Sequence, residues 1–318
     1  MDRRNRNGFT LVELLIAMLL GGLVTAAIYA SFRSQHDNYI AQTQVTEMQQ
    51  NLRSAMDVMT REIRMAGYDP LLSASQVIPG VNPIPAGIIW VDSFGMALAM
   101  DSNGNGKVDG GTDEIIAFGF GDPHGNPYDN APMDGIADAG AASLRRDVGG
   151  SLAADGKYSP GAAGYQPIAD NIQAVGFAYA YDANGDGMLD FHDNNKNGQQ
   201  DVGETTIWAV PDAGGQWVDL DTNQDGFINT ADVVPALANP APAGVATIAG
   251  TPTGIVARPG DVRAVRVWIL ARASVPDPKF NNTSTYVVGK KVITVNDHYR
   301  RRLLETIIDC RNMGLTKK

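Results

Sequence analysis

The chain has 318 residues, 44% hydrophobic and 19% charged, a composition that excludes wholesale disorder and fits one large or two small globular units. It has 35 acidic and 25 basic residues, and the resulting net charge of −10 excludes a general nucleic-acid binder, which needs a basic face for phosphates. The single cysteine, Cys310, excludes an intrachain disulfide and a cysteine-based zinc site.

The N-terminus joins a short basic segment to a long apolar one. Residues 1–8 contain three arginines, and the 22 residues of 9–30 contain one charge, Glu13. At about 1.5 Å per residue, that length spans a bilayer core of about 30 Å. Because basic flanks stay in the cytoplasm, we expect a single pass through a membrane with the N-terminus in the cytoplasm and the bulk of the chain outside. No small-residue cleavage site follows, and a plain signal anchor is the alternative.

The segment from Gly8 to Glu13, GFTLVE, resembles the class III signal of type IV pilins and type II secretion pseudopilins. The resemblance implies a leader over 1–8, which a prepilin peptidase removes between Gly8 and Phe9 before methylating Phe9. It also implies that Glu13 pairs with the N-terminal amine of a neighbouring subunit, and a carboxylate in an apolar span is costly without a partner. Loss of the leader, with three arginines and one aspartate, changes the net charge from −10 to −12.

The helix is predicted to include a transmembrane assembly segment over 9–32 and an amphipathic continuation over 33–66, which Gly67 ends. Gly21 and Gly22 either allow close helix packing in lipid or mark a stretch that unwinds in the filament. The apolar stripe of the continuation consists of Met48, Leu52, Ala55, Met56, Met59 and Ile63.

Residues 67–318 are predicted to form a β-rich head, so the expected fold class is α+β and pilin-like: a long N-terminal helix packed on an antiparallel sheet with inserted calcium-binding loops. In such a sheet Cys310 is a buried core thiol rather than a nucleophile. The tail over 262–312, taken with the N-terminus, resembles the PilW type of minor pilin. Apolar or alternating runs predict strands at 87–92, 114–120, 171–181, 262–272, 286–295 and 301–310.

Four acidic loops, within 101–114 and 182–232, have the spacing of calcium ligands. A flexible calcium loop supplies oxygens at positions 1, 3, 5, 7 (backbone), 9 and 12, with glycine at position 6. Asp, Asn and Gly also form plain turns, but four such repeats favour two to four calcium ions. The candidate positions are Asp101, Asn103, Asn105, Lys107 and Asp109 in loop 1; Asp182, Asn184, Asp186, Met188, Asp190 and Asp193 in loop 2; Asp193, Asn195, Asn197, Gln199, Asp201 and Glu204 in loop 3; and Asp221, Asn223, Asp225, Phe227, Asn229 and Asp232 in loop 4.

Position 12 is irregular in this series. Loop 1 has Thr112 there, so Asp113 or Glu114 would substitute, and Asp193 would both close loop 2 and open loop 3. Asp193 then either bridges two ions or only one of those loops is filled. Loops 2 and 4 match the dockerin form, but the segments after them break the helices that a dockerin needs. Position 8 is apolar in three loops and polar in loop 3: Val108, Leu189, Gln200 and Ile228.

The sequence contains no H-E-x-x-H, G-x-S-x-G or P-loop motif, so no enzyme is predicted. The resemblance implies a minor pilin, a structural subunit of a priming complex that initiates type IV pilus assembly at the tip. Its partners would be the prepilin peptidase, other minor pilins, the major pilin and a tip adhesin, with no nucleic acid. The alternatives are a type II secretion pseudopilin and a membrane-anchored, calcium-dependent adhesion or binding module.

Overall fold

A computed structural model of the chain describes residues 9–74, 84–120, 134–152, 158–161, 164–212, 214–232 and 244–314. Gly8 and the rest of the leader lie outside the described residues. The chain divides into two compact units, Met1–Glu47 and Met48–Lys318. The second unit therefore includes the last part of the N-terminal helix together with the head.

The long N-terminal helix, α1 (Leu11–Met65), is confirmed within two residues of the predicted bounds. It ends before Gly67, whose φ of +76° is the left-handed conformation that stops a helix. By length and composition the helix could cross a membrane, and its most apolar window is fully exposed in the structure. The helix is continuous through Gly21 and Gly22, so both interpretations of these glycines stay open.

Within the second unit, the end of α1 is tied to the head by its buried stripe and by polar contacts. Arg146 Nη2 lies 2.7 Å from Glu62 Oε1, and Asn51 Nδ2 donates to the carbonyl oxygen of Asp170 over 3.0 Å. The predicted stripe is confirmed because all its members are buried: Met48, Leu52, Ala55, Met56, Met59 and Ile63.

The head is built from a large antiparallel sheet and two smaller, separate sheets. Its described strands are β1 (Gly87–Val91), β2 (Met96–Ala99), β3 (Ile115–Gly119), β4 (Ala142–Val148), β5 (Ser151–Leu152), β6 (Tyr158–Ser159), β7 (Gln166–Tyr181), β8 (Ala209–Pro211), β9 (Trp217–Asp219), β10 (Val245–Thr247), β11 (Thr251–Pro252), β12 (Val262–Arg272), β13 (Thr285–Val288), β14 (Lys291–Thr294) and β15 (Arg301–Asp309).

The long strand β7 organises the main sheet. One of its edges pairs with β12, which in turn pairs with β15. Its other edge pairs first with β4, the end of the β1-β2-β3-β4 run, and then with β8, the start of the β8-β9-β11 run. Strands β10, β14 and β13 form a separate three-stranded sheet, and β5 pairs with β6. The α+β fold class is confirmed.

Strand β12 shows how the sheet buries both of its faces. Its residues alternate as predicted, with Val267 on one face and Trp268 on the other, and both side chains are buried. Trp268 belongs to a hydrophobic cluster that also contains Val288 and Ile293 of the β13–β14 hairpin. One face of the sheet is therefore covered by this hairpin.

The predicted single strand at 286–295 is wrong, because the chain reverses within it. Strands β13 and β14 pair as a hairpin with Gly289 and Lys290 as the two-residue turn. Gly289 has a φ of +57°, which suits the first central position of a type II′ turn. The turn rests directly on the sheet, since a Cβ added to Gly176 of β7 would lie 2.6 Å from the Gly289 nitrogen.

Candidate functional site

The first turn of α1 holds Glu13 in a reciprocal hydrogen-bonded box with Thr10. The Thr10 N–H and hydroxyl donate to Glu13 Oε2 over 2.9 and 3.0 Å, and the Glu13 N–H donates to Thr10 Oγ1 over 3.2 Å. Such a capping box satisfies helix donors that would otherwise lack a partner. Among the described residues, Glu13 Oε1 accepts no hydrogen bond. One carboxylate oxygen therefore remains available to a further donor.

The four acidic loops share one backbone conformation. In each loop, positions 4 and 6 have φ values between +58° and +85°. Glycine adopts this left-handed conformation freely, whereas other residues do so at a cost. The sequence repeat is therefore also a structural repeat. The residues concerned are Gly104 and Gly106 in loop 1, Gly185 and Gly187 in loop 2, Lys196 and Gly198 in loop 3, and Gln224 and Gly226 in loop 4.

The aspartate at position 1 binds amides of its own loop. Asp101 Oδ1 accepts N–H bonds from Gly104 and Asn105 over 2.7 and 3.1 Å, and its Oδ2 accepts one from Gly106 over 2.8 Å. Each first aspartate thereby fixes the sharp turn of its loop. The contacts from positions 5 and 6 recur at Asp182, Asp193 and Asp221.

A second carboxylate closes each loop by accepting the N–H of position 2. In loop 2 the closing group is Asp190, whose Oδ2 lies 3.0 Å from the Ala183 nitrogen. Asp193, which the 12-residue spacing puts in that role, belongs by its hydrogen bonds to loop 3 alone. In loop 1 the role falls to Glu114 and not to Thr112. The closing groups of loops 3 and 4 are Glu204 and Asp232.

Loops 1, 2 and 4 are embedded in the head, whereas loop 3 projects from it. Val108 and Ile228 at position 8 are 5% and 6% exposed and belong to hydrophobic clusters of the head, and Leu189 packs against one of them. Gln200, at position 8 of loop 3, is exposed like most of its loop. The first aspartates of the embedded loops are buried: Asp101, Asp182 and Asp221.

The electrostatic environment of the carboxylates differs between the loops. Burial, with repulsion from neighbouring carboxylates, raises the pKa of Asp190 in loop 2 and of Asp221 in loop 4. Loop 1 differs because Lys107 Nζ lies 3.0 Å from Asp109 Oδ1, and this contact lowers the pKa of Asp109. A cation would therefore relieve more repulsion in loops 2 and 4 than in loop 1.

In the described part of the chain, no three His, Cys, Asp or Glu side chains converge as a group that could hold a metal ion. The first and closing carboxylates of each loop accept hydrogen bonds from loop amides. The other oxygens that could bind a metal ion belong to asparagine side chains, backbone carbonyls and individual aspartates. The backbone N–H groups at position 7 donate to the side-chain Oδ1 at position 5, and the backbone carbonyl oxygens at position 7 are the ligands that a calcium loop would use; the residues at position 7 are Lys107, Met188, Gln199 and Phe227. Exposed side chains at positions 3 and 5 are Asn103, Asn105, Asn184, Asp186, Asn195, Asn197, Asn223 and Asp225.

The acceptors at position 9 of loops 1 and 3 are engaged by these asparagines. Asp109 Oδ2 accepts from Asn105 Nδ2 over 2.6 Å, and Asp201 Oδ2 accepts from Asn197 Nδ2 over 2.7 Å. In loop 4, Asn229 Oδ1 instead accepts the backbone N–H of Ala231, at position 11 of the same loop, over 2.7 Å. The candidate oxygens thus lie around each turn but contact each other through hydrogen bonds.

Cys310 is a core thiol, as predicted. It is fully buried, and burial raises its pKa to about 12. Its thiolate is therefore nearly absent at neutral pH, which does not suit a nucleophile.

Two family models match the chain. The one described as Prokaryotic N-terminal methylation motif matches residues 3–29, which include Gly8, Phe9 and Glu13. The one described as Type IV Pilus-assembly protein W matches residues 138–312, more than half of the chain. No curated protein and no solved structure matches.

Proposed function

We propose that the chain is a subunit of the complex that primes assembly at the pilus tip. It belongs to the type IV pilus-assembly protein W family and is a minor pilin associated with pilus assembly. The methylation motif implies a substrate of the prepilin peptidase, and the apolar helix suggests a membrane-anchored pilin. The family is a structural component of pilus assembly and not a known enzyme family. We further propose a single pass through the inner membrane with the head in the periplasm.

The observation that supports an assembly role is that one carboxylate oxygen of Glu13 has no hydrogen-bond donor among the described residues. Its side chain lies on an exposed apolar helix, and Oε2 is engaged by Thr10 while Oε1 accepts nothing from the described residues. In an apolar medium an ionised carboxylate gains strongly from a charged donor. The methylated amine of a neighbouring subunit would supply that donor, so insertion of Glu13 favours a filament over an isolated helix.

Replacing Glu13 tests this role. Glu13→Ala removes a charge from the apolar span, so the variant should still insert in the membrane but should yield few pili. Val12→Ala, one residue away, removes apolar surface only and serves as the control with a normal pilus number. Pili are counted by electron microscopy in cells with equal membrane levels of each variant. An unchanged pilus number in Glu13→Ala would reject the assembly role.

Processing is tested by mass spectrometry of the protein extracted from membranes. We expect the mature chain to begin at methylated Phe9, which follows from cleavage after Gly8. Any other N-terminus contradicts the assignment of the class III signal.

Deletion of the gene separates the priming role from the alternatives. Absent pili support priming, whereas normal pili with lost attachment indicate the adhesion module. Normal pili with a defect in protein secretion indicate a type II secretion pseudopilin. The family match over 138–312 favours the pilus among these outcomes.

We propose, in addition, that the acidic loops bind two to four calcium ions that stabilise the head. The support is the fourfold repeat of one oxygen-rich turn and the raised pKa of Asp190 and Asp221, which lie where a cation would relieve repulsion. Separate closing carboxylates in loops 2 and 3 mean that neither loop needs to share Asp193. Loop 1, with Lys107 beside Asp109, is the weakest of the four sites.

Thermal unfolding of the full chain in detergent tests calcium binding. Extracellular calcium modules have Kd values of about 10⁻⁴–10⁻³ M, so millimolar calcium should add roughly 0.4–1.4 kcal/mol per site. The protein should then melt several degrees lower in EDTA than in calcium, and magnesium should restore little because it prefers a rigid octahedral site. Equal melting temperatures in EDTA and in millimolar calcium would show that the loops are plain turns.

A further inference from the structure

Arg272, at the end of β12, lies in a slot that is shaped for its guanidinium group. The guanidinium carbon is 4.4 Å from the centroid of the Tyr299 ring. Gly140 packs against the same group, since a Cβ added there would lie 2.3 Å from Arg272 Nη1. Any side chain at position 140 would therefore displace the guanidinium. Stacking on an aromatic ring fixes the plane of the group and lowers the entropy that it loses on binding.

A neighbouring arginine shows the same arrangement with one more component. Arg300 stacks on the ring of Phe280 with its guanidinium carbon 4.3 Å from the centroid. In addition, Asp277 Oδ2 accepts hydrogen bonds from Arg300 Nε and Nη2 over 3.2 and 2.7 Å. Arg300 is thus held by an aromatic ring on its face and by a carboxylate at its edge, where two of its nitrogens donate in a forked contact.

Arg272 has the ring but not the carboxylate. It makes no hydrogen bond or ion pair with any residue that the structure describes, and its Nε is buried without a partner. Asp297 attracts Arg272 electrostatically, but both of its oxygens are engaged by Arg301, whose Nη1 and Nη2 each lie 2.6 Å from one of them. Burial, with repulsion from Arg301, lowers the pKa of Arg272, which nevertheless stays charged at neutral pH.

Two other arginines of the sheet are each paired with an acid. Arg146 binds Glu62, and Arg266, which stacks between Trp208 and Trp268, binds Glu305. Among the described residues, Arg272 is therefore a partly buried positive charge with no carboxylate bound to it, and Asp297, which attracts it, is already bound by Arg301. A guanidinium that is held in a fixed orientation without a bound carboxylate has hydrogen-bond donors available for an anion from outside the chain.

We propose that Arg272 binds the carboxylate of an Asp or Glu side chain on a neighbouring protein of the assembled complex, as Asp277 does for Arg300. A carboxylate matches the guanidinium fork, and the internal Arg300 site shows that this head completes such a stack with a carboxylate. Only the identity of the neighbour as another pilus subunit rests on the proposed function. A free phosphate or a lipid headgroup has similar charge, and the experiment separates these sources.

Zero-length crosslinking with a carbodiimide tests the proposal on the full chain in membranes. The Arg272→Lys variant places an amine in the slot. A carbodiimide activates a carboxylate, the amine displaces the urea, and an amide bond forms only where amine and carboxylate are in contact. We expect an intermolecular crosslink from position 272 to an Asp or Glu of another protein, identified by mass spectrometry. Arg272→Gln has no amine and should lower the crosslink by about tenfold or more.

Arg300→Lys is the matched control, because its amine should couple to Asp277 within the chain. Coupling in this control without any intermolecular crosslink from position 272 overturns the proposal. A crosslink from position 272 only to carboxylates of the same chain, or to lipid, overturns it as well. A crosslink to a protein outside the pilus machinery keeps the carboxylate site but contradicts the proposed function.

A second measurement excludes a folding artefact. Arg272→Gln loses the stack on Tyr299 but no hydrogen bond to a described residue, so its melting temperature should fall by no more than a few degrees. Co-purification of the crosslinked neighbour should nevertheless fall by about tenfold or more in Arg272→Gln, as expected for loss of a charged hydrogen bond. Unchanged co-purification would overturn the role of Arg272 in binding.

Discussion

Loop 4 and loop 3 have the same turn, but they are held in place by different means. Both have left-handed residues at positions 4 and 6, and both use a first and a closing aspartate or glutamate to bind loop amides. In loop 4, Ile228 is buried in the main hydrophobic cluster and Asp221 and Asp232 are buried beneath the turn. Loop 3 has Gln200 instead of the apolar anchor and is largely exposed.

The difference shows that copies of one sequence repeat can share a backbone geometry and still contribute different amounts to the stability of the fold. Hydrogen bonds in exposed loop 3 compete with water, so each contributes little, whereas the same bonds under loop 4 replace water that cannot return. Loop 4 is therefore part of the folding unit, and loop 3 is an appendage whose order depends on local interactions. If calcium binds, we expect it to change order most in loop 3 and global stability most in loop 4.

The largest expected effect concerns the anchor at position 8. Ile228→Ala should lower the free energy of unfolding by about 3 kcal/mol, because it removes buried methyl and methylene groups and leaves a cavity. Gln200→Ala, at the equivalent position of loop 3, should change it by less than about 0.5 kcal/mol. Denaturant unfolding of the full chain in detergent measures both. Equal effects of the two substitutions would show that loop 3 is as embedded as loop 4.

The second effect concerns the first aspartate. Asp221→Ala leaves the Gly226 N–H without its acceptor beneath loop 4 and removes one of the two acceptors of the Asp225 N–H, and we expect a loss of about 2 kcal/mol. Asp193→Ala removes the same two bonds from loop 3, where water replaces them, and should cost less than about 1 kcal/mol. Hydrogen exchange of the loop amides reports the two cases separately. A larger loss in Asp193→Ala contradicts the comparison.

Much of the fold could be predicted from hydrophobic patterning alone. The stripe on α1 and the alternation along β12 are visible in the sequence, because each element has apolar residues at the regular spacing that places them on a buried face. Strand β4 (Ala142–Val148) was not predictable this way, because its Arg145 and Arg146 look like a solvent-exposed run. Arg146 is in fact paired with Glu62 of α1, a contact that no local pattern contains.

The loops could be predicted as turns but not in how they close. Fixed spacing assigned the closing role in loop 2 to Asp193, yet the closing group is Asp190, and in loop 1 it left Asp113 and Glu114 as alternatives, of which Glu114 closes the loop. Which carboxylate reaches the amide of position 2 depends on where the chain goes after the turn. Embedding was visible in part, since the apolar residues at position 8 separate Ile228 from Gln200. Likewise, the slot around Arg272 joins residues more than a hundred positions apart and has no sequence signal.

The smallest effect separates backbone strain from embedding. Gly185 of loop 2 has a φ of +75°, and a Cβ added there meets no other atom within 4 Å. Gly185→Ala therefore tests the left-handed conformation without a steric clash, and it should cost about 1 kcal/mol. Lys196, at the same position of loop 3, already bears that strain at a φ of +58°.

Lys196→Gly should accordingly stabilise loop 3, by no more than about 0.5 kcal/mol, since the relief of strain is offset by the larger freedom of glycine in the unfolded chain. Because loop 3 projects, this gain should slow hydrogen exchange within the loop and leave the melting temperature of the head unchanged. A shift in the melting temperature of the head as large as that expected for Gly185→Ala, with the opposite sign, would mean that loop 3 unfolds together with the head. The distinction between appendage and folding unit would then fail.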